Sequence, residues 1–252
     1  MASYRSIFRV TMTALLLILA QPAAAADTRG DDEWQFDAAI YLWAAKMEVT
    51  PENSDTIDIS FSDIVDNLDM TFMGTFGARK DRWSLLADLI YMDLQDTKKG
   101  SRTILNQTIN GKVDAEMEAW IVTLAGGYQL VDTGKYTMDL LAGGRYISVE
   151  VPLKFDVGPV KRKTSPSGHI WDGIVGVRGK ADLTDKWYLN YYLDGGAGQN
   201  SSTTWQALGG LGYQFRNFDA AFGYRYLKWD IDSGQLEDLT IKGPYAGVRF
   251  FF

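Results

Sequence analysis

The segment "GPYAGVRFFF", residues 243–252, ends the chain on three phenylalanines. Terminal backbone of a water-soluble domain is poorly packed and ordinarily polar, so this ending calls for an apolar environment. Side chains alternate across a strand with period 2. Val248, Phe250 and Phe252 therefore share one face, and Tyr245, Gly247, Arg249 and Phe251 share the other. Such a strand either closes a soluble sandwich or closes a barrel whose outer face meets lipid. The remainder of the 252 residues decides between them.

At the opposite end, "MASYRSIFRVTMTALLLILAQPAAAADT" places Arg5 and Arg9 before an apolar run, residues 12–20, and then small residues. That layout predicts a cleavable secretory signal peptide, residues 1–26, cut after Ala26 at an A-x-A pattern. The run is too short to be a spanning helix, which needs about 20 apolar residues. Every later apolar stretch is interrupted by glycine, charge or amide. The mature domain, residues 27–252, is thus expected to be exported and either soluble or a barrel. The chain has no cysteine, which excludes a lipid-modified Cys and any disulfide framework. Losing the two leader arginines takes the formal net charge from −7 to −9. So acidic a chain has no footprint for nucleic acid, which needs a basic surface.

The 13 Tyr, 12 Phe, 8 Trp and 25 Gly against 6 Pro favour strands and tight turns over helices. Ten segments alternate at period 2. In "WQFDAAIYLWAAKMEV", Phe36, Ala38, Ile40 and Leu42 oppose Gln35, Asp37, Tyr41 and Trp43. In "WYLNYYLDGGAG", Trp187, Leu189, Tyr191 and Leu193 oppose Tyr188, Asn190, Tyr192 and Asp194. The others lie in "DMTFMGTFGAR", "RWSLLADLIYMDL", "EAWIVTLAGGYQL", "YTMDLLAGGRYISV", "IWDGIVGVRGKAD", "TWQALGGLGYQF", "FDAAFGYRYLKW" and the closing stretch. One face of each is apolar with Trp or Tyr near its ends. The other holds Asp, Arg, Asn, Gln, Thr and Tyr rather than the Lys and Glu of a solvated surface. Apolar outside, polar inside and girdled by aromatics is the pattern of a transmembrane barrel.

Connections agree. Tight links at Lys80-Asp81-Arg82, "DTGK", "LTDK" and "RN" alternate with long links at residues 50–67, 96–111, 151–168 and 231–238, with "QNSST" the short exception. Outer-membrane barrels alternate short periplasmic turns with longer outer loops. The fold expected is all-β: an up-and-down antiparallel transmembrane β-barrel of about ten strands. Eight follow if two weak segments are not spanning, and twelve if "TIDISF" forms a hairpin with its neighbour. On this reading Val248, Phe250 and Phe252, with Tyr245, form a closing-strand membrane-insertion signal, and the last strand pairs with the first to leave no open edge.

The closing strand ending in Phe252 resembles the C-terminal signal of Gram-negative outer-membrane proteins. "EWQFDAAIYLWAAKMEV", "FSDIVDNLDMTFMG" and "RWSLLADLIYMDL" are similar to stretches of a group of uncharacterised proteobacterial outer-membrane barrels. The resemblance implies a barrel in the outer membrane, with no activity, cofactor or catalytic residue attached.

The candidate lumen residues are Asp37, Asp69, Arg79, Asp88, Asp139, Arg145, Asp172, Arg178, Asp194, Asp219, Arg225 and Arg249, with Lys180 and Asn190 beside them. Unpaired charge in a narrow interior is costly. Carboxylates and guanidiniums there form either a structural network or the lining of a narrow polar path. Ten strands sit near the size that side chains fill, so the expected protein is structural or narrow-pore, and not an enzyme.

Two alternatives stay open. One is a surface hydrolase centred on His169, the single histidine, near Ser165, Ser167 and Asp172; GxSxG and HExxH motifs are absent. The other is a lipocalin-like periplasmic binder. In the first long link, "FSDIVDNLDM" reads as a packed turn or a lid capped by Ser62, in an acidic stretch with Asp55, Asp58, Asp63 and Asp66 but no EF-hand spacing. Lys161 to Lys163 read as a solvated loop or a contact to lipopolysaccharide phosphates. No cofactor or metal is expected. The expected partners are outer-membrane lipid, lipopolysaccharide and the barrel assembly machinery.

Overall fold

A computed structural model describes residues 33–51, 57–59, 68–104, 107–150, 153–157, 160–164, 167–198, 201, 203–231 and 236–252. The signal peptide, the 62–66 turn and Ser165 lie outside them.

The strands are β1 (Gln35–Trp43), β2 (Lys46–Pro51), β3 (Ile57–Ile59), β4 (Leu68–Lys80), β5 (Trp83–Ile104), β6 (Gln107–Asp132) and β7 (Tyr136–Glu150). They continue with β8 (Leu153–Val157), β9 (Val160–Thr164), β10 (Ser167–Asp182), β11 (Trp187–Gly198), β12 (Thr203–Gln214), β13 (Phe218–Asp230) and β14 (Leu236–Phe251). Ten of them run β1-β4-β5-β6-β7-β10-β11-β12-β13-β14, every neighbour antiparallel, and β14 pairs back onto β1. The sheet is closed, as a barrel in lipid must be if no backbone group is to be left unpaired. At the seam Phe36 and Phe252 exchange reciprocal N–H···O bonds of 3.0 Å, and their rings stack at 6.4 Å. The terminal phenylalanines are thus part of the closure.

The first barrel strand is broken. β1 ends at Trp43, and β2 resumes at Lys46 on the upper half of β14. At the break Ala44 N–H donates to Pro244 O at 2.8 Å. The register on β14 is unbroken across it, from Trp43↔Tyr245 to Lys46↔Lys242, and Pro244, which donates nothing to a ladder, lies at this interruption of the strand. At the short-turn end, Asp81 and Gly134 adopt positive φ, 50° and 77°. Gly134 N–H is held by Asp132 Oδ1 at 2.9 Å.

The long links differ from expectation in one respect. Residues 96–111 are mostly strand: β5 and β6 stay paired from Trp83↔Tyr128 to Ile104↔Gln107. β8 joins the edge of β6, and β9 joins β8. Lysines and Gly100 suggest a loop, but a ladder in water satisfies its own backbone groups and needs no apolar face. A spanning strand needs about 9–11 residues, and β5 has 22, so about half of it continues past the membrane. β3 pairs with β2 and adds no strand to the wall, which leaves the barrel at ten strands.

Outward side chains form a lipid-facing band in which Leu42, Leu85, Leu124, Trp171, Val175 and Phe222 are exposed. Aromatic pairs bound it. Trp83–Tyr128 and Trp187–Tyr213, both at 4.9 Å, mark the short-turn side. Tyr91–Trp120, Tyr146–Trp171 and Trp205–Tyr226, at 4.4–4.5 Å, mark the other. On β5, β6 and β12 the two rings are eight residues apart. That separation is roughly 20 Å along the barrel axis for tilted strands, close to the ~25 Å apolar band of such barrels.

Candidate functional site

The inner surface divides into tiers. Near the short turns, Asp139 on β7 accepts from two guanidiniums at one oxygen: Arg178 Nε at 3.2 Å and Arg79 Nη2. Arg249 Nε lies 3.6 Å from Asp37 Oδ2 across the closing seam. Asp219 faces Arg249 in register between β13 and β14. Lys180 pairs with Asp182 at 3.0 Å and lies 5.1 Å over the Tyr188 ring.

Higher up are two buried networks. Arg225 donates to Asp88 Oδ2 at 2.6 Å, to Gln206 Oε1 at 2.7 Å and to the Tyr41 hydroxyl at 2.8 Å, while Tyr41 donates to Asp88 Oδ1 at 2.6 Å. Arg145, fully buried, donates to Thr123 and Thr204 Oγ1, each at 3.3 Å, and forms an ion pair with Asp194. With both charges removed from water, each guanidinium nitrogen of Arg145 has a partner, as a buried ion pair requires. Asn190 Nδ2 donates to the Tyr245 hydroxyl at 2.9 Å.

Above these the inner face changes character. Trp43, Met47, Met73, Ile90, Met92, Ile121, Ile147, Leu227, Trp229, Leu239 and Ile241 are buried and pack as one cluster. Each large apolar side chain removed from water contributes about 1.5–3 kcal/mol. Asp172 borders the cluster, accepting from Trp229 Nε1 at 2.9 Å and from the Ser201 hydroxyl. Alternation alone did not reveal this zone. Its trace is the loss of alternation in "LIYM" and "AWIV", where both faces are apolar.

A cavity of about 470 Å³ lies below the cluster, lined by both the lower tier and the Arg225 network. Of the candidate lumen residues, Asp37, Arg79, Asp88, Asp139, Arg178, Asp219, Arg225 and Arg249 line it, while Arg145, Asp172 and Asp194 are buried in the inner wall. The side chain of Asp69, in β4, lies outside the described residues, as do those of Asp58, Ser167 and Lys161 to Lys163. Phe250 and Phe252 are exposed on the outer face of the closing strand, whose register places Val248 there too. Tyr245 points inward, to Asn190, because its odd position shares the parity of Gly247 and Arg249.

The described geometry does not bring the hydrolase candidates together. His169 is exposed beside the outward Tyr146, ring centroids 6.5 Å apart, whereas Asp172 is bound inside. Residues at odd and even positions of β10 face opposite sides of the wall. Among the described residues no group of three or more His, Asp or Glu side chains is placed to hold a metal ion.

No protein-family model matches the chain, and no curated protein matches it in sequence. Solved structures do match in shape. The outer membrane protease OmpT from Escherichia coli superposes with a TM-score of 0.52 at 11% identity, covering 90% of this chain and 99% of that one. The translocator domain of the autotransporter NalP from Neisseria meningitidis gives 0.45 at 13% identity, over 99% and 96%. Ail of Yersinia pestis gives 0.37 at 12% identity, over 87% and 98%. At such identities the likeness concerns fold alone: the chain has the fold of the Gram-negative outer-membrane β-barrels.

Proposed function

We propose that the protein is an integral outer-membrane barrel of structural type, closed to solutes along its axis. The single observation that carries this reading is the buried apolar cluster around Trp229, Leu227, Ile90 and Ile241 on the inner face. An ion crossing that zone sheds its hydration among apolar side chains, the bordering Asp172 carboxylate being already bound to Trp229 and Ser201. The paired Arg145–Asp194 and Arg225–Asp88 networks beneath it act as struts between strands rather than as an ion path. Support for the location comes from the aromatic-bounded apolar outer band and from the exported character of the leader. In this reading the leader, residues 1–26, is removed, and the barrel assembly machinery inserts the chain using the outward Val248, Phe250 and Phe252. The outer rim then meets lipopolysaccharide. The exposed band is the wrong surface for a soluble periplasmic binder, because exposed apolar patches of that extent mark contact with lipid or protein.

The test is permeation. The mature chain is refolded into liposomes and the flux of small ions and sugars is measured, with heat-modifiable gel mobility as the check on folding. Sealed vesicles carrying folded barrel are expected. A reproducible unitary conductance would overturn the closed reading in favour of a narrow pore.

A further inference from the structure

We infer that the short-turn half of the lumen is a binding cup for a small organic anion, its carboxylate or phosphate taken up by Arg79 and Arg178. The cavity's volume of about 470 Å³ falls in the range of about 300–1,000 Å³ typical of small-molecule sites. Its charge is layered. The cation side chains stay open: Arg178 is 22%, Arg79 30%, Lys180 35% and Arg249 44% exposed. Asp139, at 3%, and Asp219, at 7%, lie behind them, while Asp37, at 33%, faces Arg249 and Asp182, at 26%, is paired with Lys180. At the Arg79–Arg178 end a diffusing solute therefore meets guanidinium before carboxylate.

The pairing at Asp139 is also lopsided. Two guanidiniums share its Oδ2, while its Oδ1 and Arg79 Nη1 have no protein partner. At this end two guanidiniums face one carboxylate, an excess of positive charge local to Arg79 and Arg178, since Asp182 pairs with Lys180 and both Asp37 and Asp219 lie at Arg249. Such surplus charge is costly unless a counter-anion joins it. A planar fork of N–H donors suits the two oxygens of a carboxylate or phosphate. Across the cavity, Tyr188, Asn190, Gln206 and Tyr245 supply hydroxyl and amide groups for the ligand's uncharged body.

This inference does not rest on the sealed axis, since a leaky barrel would hold the same cup. The test is isothermal titration of the folded mature barrel in detergent with inorganic phosphate, citrate and glucose. Saturable binding of phosphate, citrate or both, with none of glucose, is expected; which anion binds separates the phosphate from the carboxylate source. Affinity should fall about tenfold or more in Arg79→Ala and Arg178→Ala, judged folded by heat-modifiable mobility. If either fails to fold, Arg79→Lys and Arg178→Lys keep the charge but lose the fork, and a several-fold loss is expected from them. Absence of saturable anion binding by folded wild type overturns the proposal. So does binding that the arginine substitutions leave unchanged, or equal binding of glucose.

Discussion

Replacing Arg145 by alanine separates a strut from an ion path. Arg145 is fully buried, and its guanidinium reaches Thr123, Thr204 and Asp194 on three other strands. The substitution leaves the Asp194 carboxylate, itself without side-chain exposure, buried and unpaired. Breaking a buried pair in this way costs about 3–5 kcal/mol, against less than about 1 kcal/mol for an exposed pair. Because a domain's whole stability is about 5–15 kcal/mol, the loss should be conspicuous. Removing both charges, as Arg145→Met with Asp194→Leu, leaves nothing unpaired and should recover most of the loss, as apolar replacement of buried pairs does. The assay is urea unfolding of the barrel refolded in phospholipid vesicles, followed by tryptophan fluorescence and gel mobility, across the double-mutant cycle. An Arg145→Ala barrel within about 1 kcal/mol of wild type would refute the reasoning. So would a double variant no more stable than the single one.

Trp229→Ala should cost about 3–5 kcal/mol, the range for emptying a buried aromatic site, and should raise ion flux through refolded liposomes, since Trp229 stands in the apolar cluster; unchanged flux in a folded variant would place the seal elsewhere. Gly143→Ala puts a methyl 2.0 Å from Leu124 O and 2.6 Å from Ala125 Cα, so about 1–3 kcal/mol of destabilisation is expected in urea unfolding. Gly209→Ala meets nothing within 4 Å and should be neutral or stabilising by up to about 1 kcal/mol. At the outer rim, the hydrogen bond from Lys228, helped by that from Thr203, holds the Asp230 carboxyl below its usual range. A depressed folded-state pKa gives stability that is present above the unfolded value, about 4 for Asp, and lost as pH falls through the folded one. Wild type should therefore lose more unfolding free energy than Asp230→Asn between about pH 5 and 2, by under about 1 kcal/mol for so exposed a pair.

The barrel was legible in the sequence because lipid imposes a period on it. Leu42, Leu85, Phe222 and Phe250 face outward, and Asp37, Asp88, Asp219 and Arg249 occupy inward positions of opposite parity on the same four strands. Which inward residues pair was not legible. Arg225 and Asp88 are 137 residues apart and Arg145 and Asp194 are 49 apart, and period-2 alternation gives only a face. The doubled guanidinium at Asp139 joins β4, β7 and β10, a meeting set by strand tilt and register. The interior's change from wet to dry was hidden for a different reason. Where a barrel strand has lipid on one side and an apolar cluster on the other, both faces select the same residue types and the period disappears. "LIYM" on β5 and "AWIV" on β6 are such places, with Ile90, Met92 and Ile121 inward and Tyr91 and Trp120 outward. Read alone, each resembles the buried strand of a soluble sheet, which also reads as an unbroken apolar run. The distinction lies in position: the runs begin where the outer aromatic ring sits and recur on adjacent strands at one height, since Ile90 faces Ile121 and Ile121 faces Ile147 in register. Lost alternation repeated at one level on neighbouring strands of an otherwise alternating barrel is therefore the mark of an apolar zone on the inner face, and a count of inward charges does not reveal it.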